Sequence, residues 1–258
     1  MKQMRWMAAL LVSLMASSCA TMKAPPPLRV GMTPNYPPLI MRQGDKLAGA
    51  ECDFAAQLAA ELGRPLQLVP VPWELQLEEL EANRIDVVMS GMTITPARQA
   101  RAAFCEPYMD NPLVAVVRRG EAGRFASAAA ILETSSGIGV LRGTSADAFA
   151  RRQCPRAKVL PLSSRDDVAF NLVNQRIDLY VDDLAAAVQI ATRHESRLEL
   201  VRIPLEAQQL AWAVRQGDDE LRGQANASLA RWRANGWLEQ TLNSWMPYLQ
   251  ALAAAPAK

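Results

Sequence analysis

The sequence predicts an α/β protein of two lobes, and three observations carry that expectation. Segments with strand and helix patterning alternate in the order strand–helix–strand–helix–strand, and that order occurs twice. Each unit spans about 90 residues, which suits two lobes better than one continuous sheet. Two extended apolar segments, 111–118 and 205–214, fit hinge strands joining the units. Alternation of this kind implies right-handed crossovers and a mainly parallel sheet flanked by helices in each lobe.

Lys2 and Arg5 precede the apolar run 6–15, which small residues follow. This is the order of a secretory signal, and its core is too short to span a bilayer. Ala16-Ser17-Ser18-Cys19 resembles a lipobox, which would make Cys19 the acylated mature N-terminus, although Ala16 stands where Leu is usual. Ser18-Cys19-Ala20 reads equally as an ordinary small-x-small cleavage site. Residues 1–19 are thus the expected signal, and 20–27, ending Pro25-Pro26-Pro27, the expected spacer.

In the first unit Leu28-Arg29-Val30-Gly31-Met32 reads as a strand, followed by a Pro-rich loop through Pro38. Asp53 is placed to cap a helix through Leu62, with Phe54, Leu58 and Leu62 on one stripe and Gly63 and Pro65 as the stop. A strand over 66–71, a helix over 74–84 and a buried strand over 85–89 complete the unit. The second unit repeats the plan with strands over 137–141, 159–162 and 177–181 and helices over 147–152 and 165–174. The tail, 219–249, carries Leu221, Leu229, Trp232, Trp237, Leu238, Leu242 and Trp245 at roughly helical spacing. Its tryptophans read as core anchors rather than ligand contacts. The expected division is 28–111 with 208–250 as the first lobe and 112–207 as the second.

Composition removes several function classes. The chain has 258 residues and is 50% hydrophobic, enough for an ample core. Lys+Arg 28 against Asp+Glu 26 provides no field for nucleic acid. His194 is the lone histidine, so multi-histidine metal sites and acid–base relays are excluded. Cys19, Cys52, Cys105 and Cys154 are far apart and form no CxxC pair, which argues against a zinc ribbon or a thioredoxin-type redox site. No cofactor is implied.

Open α/β sheets place ligands at strand ends. One such loop offers Ser90, Gly91, Thr93 and Arg98, and another Gly143, Thr144 and Ser145 at a helix N-terminus. A third offers Asp182 and Asp183, while Tyr36 and Trp73 come from two further loops. An Arg fork for a carboxylate, a carboxylate for an ammonium and flat aromatic walls are what a zwitterionic amino acid requires.

The residues that carry this constellation also carry a family resemblance. Leu28-Arg29-Val30-Gly31 with Tyr36-Pro37-Pro38, then Val71-Pro72-Trp73 and the run from Ile85 to Arg98, are similar to the polar amino-acid family of bacterial solute-binding proteins, family 3. The similarity continues through Phe104-Cys105-Glu106-Pro107-Tyr108, Val140-Leu141-Arg142-Gly143-Thr144-Ser145, 177–183 and 229–236. It implies a periplasmic-binding-protein clamshell of two lobes joined by two hinge strands. It also implies a monomer, localised to the periplasm and, on the lipobox reading, tethered by a lipid on Cys19, that hands an amino-acid-like ligand to an ABC transporter permease.

By position, the resemblance gives Arg98 the ligand α-carboxylate, helped by Thr93 and the amides near Thr144 and Ser145. Asp183 takes the α-ammonium, with a Ser90 or Gly91 carbonyl as second acceptor, while Asp182 borders the site. Tyr36 and Trp73 flank the side chain, and Leu141 and Thr33 complete the expected ligand-binding set. Thr33 stands where several binders of cationic amino acids carry an acid, which disfavours a Lys- or Arg-type ligand. Arg142 either meets an acidic ligand side chain or is solvated.

Ala50-Glu51 and Leu39 depart from the family pattern, so a wider or repacked pocket floor is expected. Cys52 and Cys105 either pair after export or remain buried thiols, and Cys154 has no evident partner. His194 reads as an exposed helix residue. A binding receptor without catalytic residues is the expected function. The alternatives are an accessory or sensor binding protein and a cyclohexadienyl dehydratase-like enzyme on the same scaffold, the latter needing a general acid in the cleft.

Overall fold

A computed structural model of the chain describes residues 24–248; the signal segment, Cys19 and the first half of the spacer lie outside them. The end of the spacer is extended, and the Arg64 guanidinium holds the Pro26 and Pro27 carbonyls at 3.0 and 2.8 Å. Two five-stranded sheets form the centres of two lobes. In the first, Leu28–Met32 lies parallel to both Leu66–Pro70 and Val87–Val88. In the second, Gly137–Leu141 lies parallel to Lys158–Leu162 and Leu179–Asp183.

The sheets are mixed rather than simply parallel, and the reason is the crossover between lobes. Leu113–Arg118, the first strand of the second sheet along the chain, runs antiparallel to Leu179–Asp183 and Leu198–Glu206. Ala213–Arg215, the first strand after the chain returns, runs antiparallel to Val87–Val88 and Ala102–Phe104. Each sheet therefore contains one reversed strand, and it is the one just arrived from the other lobe. The two passages are stitched together where Met109–Asp110 pairs with Gln209–Leu210. The apolar segments expected as hinges are thus mostly sheet strands, and the hinge itself is this short ladder with its flanking residues.

Helices cover both faces of each sheet. In the first lobe Ala50–Glu61, Asp219–Ala234 and Trp237–Trp245 pack over Val30, Met32, Val87 and Trp212. Gln76–Glu81 covers the other face around Val71, Ile85 and Val88. The first helix starts at a Gly49 cap, four residues before the expected Asp53, whose carboxylate instead accepts from Trp245 Nε1 at 2.7 Å. The helix expected over 74–84 is a 3-10 turn, Trp73–Leu75, continued by Gln76–Glu81. The one expected over 165–174 has the same form, Arg165–Asp167 then Val168–Val173. In both places the early turn winds tightly, which aims Trp73 and Arg165 at the space between the lobes.

The tail is two helices broken at Gly236, whose φ of 77° is a left-handed turn suited to glycine. Trp232 is buried and donates to Glu61 at 2.7 Å; it joins Phe54, Tyr108, Trp212 and Trp237 in an aromatic cluster with centroids 4.7–6.1 Å apart. Burial pushes the Glu61 carboxyl up, but hydrogen bonds from Trp232, Ser228 and Arg231 outweigh this and hold it at about 2. Cys52, Cys105 and Cys154 are free buried thiols. His194 caps the helix Leu184–Arg193 and is half-buried.

Candidate functional site

Six strand ends converge on a cavity of about 260 Å³ between the lobes. From the first sheet come Thr33 after Leu28–Met32, Trp73 after Leu66–Pro70, and the loop Ser90–Thr93 after Val87–Val88. From the second come Thr144 and Ser145 after Gly137–Leu141, Ser163 and Arg165 after Lys158–Leu162, and Asp183 at the end of Leu179–Asp183. All eleven residues expected from the sequence line this one cavity, Tyr36, Gly91, Arg98 and Leu141 among them.

Arg98 is delivered by a tight local turn. Thr95 caps the short helix Pro96–Gln99 by accepting the Arg98 amide at 3.3 Å, and Pro96 sets the first helical φ. The Arg98 side chain then folds back so that Nη1 donates to the Thr93 carbonyl at 2.9 Å and the guanidinium stands 5.0 Å over the Trp73 ring. Burial lowers its pKa to about 10, and Nε and Nη2 have no protein partner among the described residues. A half-buried cation with two free donors on a shared fork is a receptor for a carboxylate.

Opposite it, Asp183 caps Leu184–Arg193, its Oδ1 accepting from the Ala186 amide at 3.0 Å. Asp182 is turned away from the cavity and is 1% exposed. It accepts from Tyr180 Oη at 2.6 Å and from Arg165 Nε and Nη2 at 2.8 and 3.3 Å. Arg165 reaches Asp183 only at 3.7 Å. Asp182 thus takes most of the Arg165 charge, and the Asp183 carboxylate, which also meets the Tyr36 hydroxyl, keeps acceptor capacity for a ligand. Burial, then repulsion from Asp182, raises the Asp183 pKa.

The lobes meet around the cavity. Trp73 Nε1 donates to the Gly143 carbonyl at 3.2 Å, and Thr93 Oγ1 lies 3.4 Å from Ser145 Oγ. Ser145 also donates to Gln208 on the hinge at 2.7 Å. The Arg165 guanidinium lies 4.4 Å over the Tyr36 ring, whose hydroxyl accepts from Asn111 Nδ2 at 3.0 Å. Burial, with the Asp183 carboxylate nearby, holds the Tyr36 phenol well above its ordinary pKa. Thr144 caps Ser145–Gln153, while Gly143, with φ 72°, turns the chain so that the helix start faces Arg98 and Trp73.

The floor is organised by buried hydroxyls and a buried acid. Thr33 N donates to Ser90 Oγ at 2.9 Å, and Thr33 Oγ1 donates to the Val71 carbonyl at 2.9 Å. Glu51, expected only as a departure from pattern, is fully buried and accepts from the Gly91 amide, Tyr108 Oη and Trp212 Nε1 at 2.7, 2.7 and 2.9 Å.

Sequence reasoning missed Arg165 as a wall residue, together with Asn35, Glu74 and Ser163. Arg165 follows the strand Lys158–Leu162 by three residues, so the strand-end argument applied to the other loops reaches it too. It was read instead as the start of a helix. Arg142 and Glu74 are exposed at the rim.

The chain is similar to known proteins over most of its length. The chain is 29% identical over 219 residues to the L-cystine-binding protein TcyJ of Escherichia coli K12, covering 84% of this chain and 82% of that protein. It is 27% identical over 228 residues to the cyclohexadienyl dehydratase of Pseudomonas aeruginosa, covering 86% and 83%. A binding component of an ABC transporter from Wolinella succinogenes, solved with lysine, superposes with a TM-score of 0.80 at 26% identity, covering 84% of this chain and 94% of that one. The model of the bacterial extracellular solute-binding proteins, family 3, matches residues 28–248, and the chain belongs to that family.

Proposed function

We propose that this protein captures a single amino acid between its lobes in the periplasm and presents it to an ABC importer. The observation that carries the reading is the opposed pair Arg98 and Asp183. One is a half-buried cation with free donors, the other a buried carboxylate with remaining acceptor capacity, and both line a cavity of amino-acid size. The α-carboxylate takes the Arg98 fork with the Thr144–Ser145 helix start, and the α-ammonium takes Asp183. Tyr36, Trp73, Leu141 and Thr33 enclose the side chain.

Enclosure is needed on energetic grounds. A micromolar complex corresponds to about −8 kcal/mol. A ligand of about ten heavy atoms reaches that only if nearly every atom contributes and association costs are offset by burial of both paired charges. The closed lobes meet this need and form a shape distinct from the open one, which a permease can read. Export rests on the signal-like segment 1–19, with Cys19 as the tether if it is acylated.

A thermal-shift screen of the twenty amino acids tests the reading, because a bound ligand raises the melting temperature with its saturation. A shift with at least one amino acid is expected. A screen in which none shifts would remove the reading and favour the dehydratase-like or accessory alternative.

A further inference from the structure

The cavity wall holds a second guanidinium besides the one assigned to the α-carboxylate. Arg165 is 14% exposed in its side chain, lies over Tyr36 and lines the cavity. Its Nε and Nη2 are committed to Asp182, but Nη1 has no hydrogen-bond partner among the described residues. Burial works against its charge, but Asp182, Tyr180 and Asp183 together outweigh that effect. The residue is therefore a permanent cation with unspent donors beside the ligand.

Charge accounting within the closed cavity then restricts the ligand. Arg98 and Arg165 contribute two positive charges at the wall and Asp183 one negative charge, while Asp182, buried behind the wall, adds a second negative charge through its pair with Arg165. The remaining charged wall groups, Arg142 and Glu74, are opposite in sign and exposed at the rim, where water screens them. A zwitterion keeps the enclosed set neutral. A ligand side chain with a further positive charge would have no acid left to pair it, since Thr33 is uncharged and Asp182 is spent on Arg165. A further negative charge would leave one anion in excess, since Asp182 already compensates Arg165. Burying an uncompensated charge is strongly unfavourable, so both classes are disfavoured. An aliphatic side chain avoids that penalty but leaves Nη1 desolvated without an acceptor.

We infer that Arg165 determines side-chain specificity, and that the site selects amino acids whose side chain is uncharged and offers a hydrogen-bond acceptor, such as a carboxamide or hydroxyl. This rests on the amino-acid reading above, and it separates this chain from the lysine-loaded relative it superposes on.

Calorimetric titration of glutamine, asparagine, threonine, leucine, lysine, arginine and glutamate tests the inference on three proteins: wild type, Arg165→Gln, and Arg165→Gln with Asp182→Asn. In the wild type a glutamine, asparagine or threonine ligand should bind at least about tenfold tighter than the charged or aliphatic ones. Arg165→Gln leaves one acid uncompensated, so lysine or arginine should gain about tenfold or more relative to the neutral polar ligands. The double variant restores neutrality. It should lose that gain while keeping a reduced margin of polar over aliphatic ligands. Tightest wild-type binding of lysine, arginine, glutamate or leucine overturns the inference and leaves the amino-acid reading intact, as does one ranking shared by all three proteins. Absence of binding by every amino acid overturns both. Circular-dichroism melts check folding, and if the single variant is unfolded the wild-type ranking and the double variant decide.

Discussion

The Glu51 carboxylate accepts the Gly91 amide at 2.7 Å, so an acid on the first helix holds the backbone of the ligand loop forty residues away. The same carboxylate binds Tyr108 and Trp212, which flank the two chain passages between the lobes. One buried group thereby joins the cavity floor to both sides of the hinge.

Glu51→Gln should lower stability. Two of the three partners, the Gly91 amide and Trp212 Nε1, are obligate donors on different carboxylate oxygens, and an amide cannot accept on both sides. One buried donor is left facing an NH2 group, at a cost of about 1–3 kcal/mol. The acid also gives stability a pH dependence. Burial is the main cause that raises its pKa from 4.5 to about 7. A carboxyl with a raised folded-state pKa contributes most below its unfolded value, and that contribution fades as pH rises toward about 7. Melting temperature should therefore fall between pH 5 and 7.5 in the wild type and fall less in Glu51→Gln. Equal slopes in the two proteins would refute this assignment.

Gly91→Ala should damage both stability and binding. Gly91 has φ 61°, and an added Cβ would stand 2.5 Å from the Tyr36 ring. That ring is held between Arg165 and Asn111 and has little room to retreat. The left-handed backbone costs an alanine about 1–2 kcal/mol before the clash is counted. Chemical denaturation should show a loss of at least about that size, with weaker binding of any ligand that shifts the melt of the wild type.

How much of this was legible in the sequence depends on range. The turns that end strands announce themselves locally, through Gly91, Gly143, the Pro-rich loop and Thr95-Pro96, so the wall residues on those turns were found. Arg165 lies in Ser-Ser-Arg-Asp-Asp, which reads as a solvated helix start, and its meaning comes from Asp182 seventeen positions later and Tyr36 on the other lobe. Glu51 was visible as an oddity in a helix, but its partners are 40, 57 and 161 positions away. The small sheet of Asn35–Tyr36, Ile40–Gln43 and Lys46–Ala48 was missed because strands so short carry no usable alternation.

Arg98→Ala should separate stability from function. Among the described residues the Arg98 side chain makes one hydrogen bond, to the Thr93 carbonyl, and one aromatic contact, and burial already disfavours its charge. Removing it should leave the ligand-free melting temperature unchanged or higher. Affinity for any ligand bound through a carboxylate should fall about 100-fold or more, because the partner charge is left buried and unpaired. Retained affinity in calorimetry would refute the assigned role.

Asp183→Asn tests the other pole and carries its own control. Asparagine caps a helix as well as aspartate does, so the Ala186 contact and the fold should survive. The substitution also relieves the repulsion from Asp182 that raises the Asp183 pKa, so melting temperature near neutral pH should rise or hold. Binding of amino acids should nonetheless weaken about tenfold or more, since a neutral amide replaces the charge partner of the ammonium. Ligands that lack the amino group should be affected far less. The same chemistry predicts that wild-type affinity declines on acidification, as the raised Asp183 carboxyl takes up its proton earlier than an ordinary aspartate, and that the variant lacks this decline. Titrations at pH 5 and pH 8 on both proteins decide the matter, and an equal decline in the two would show that Asp183 does not hold the ammonium.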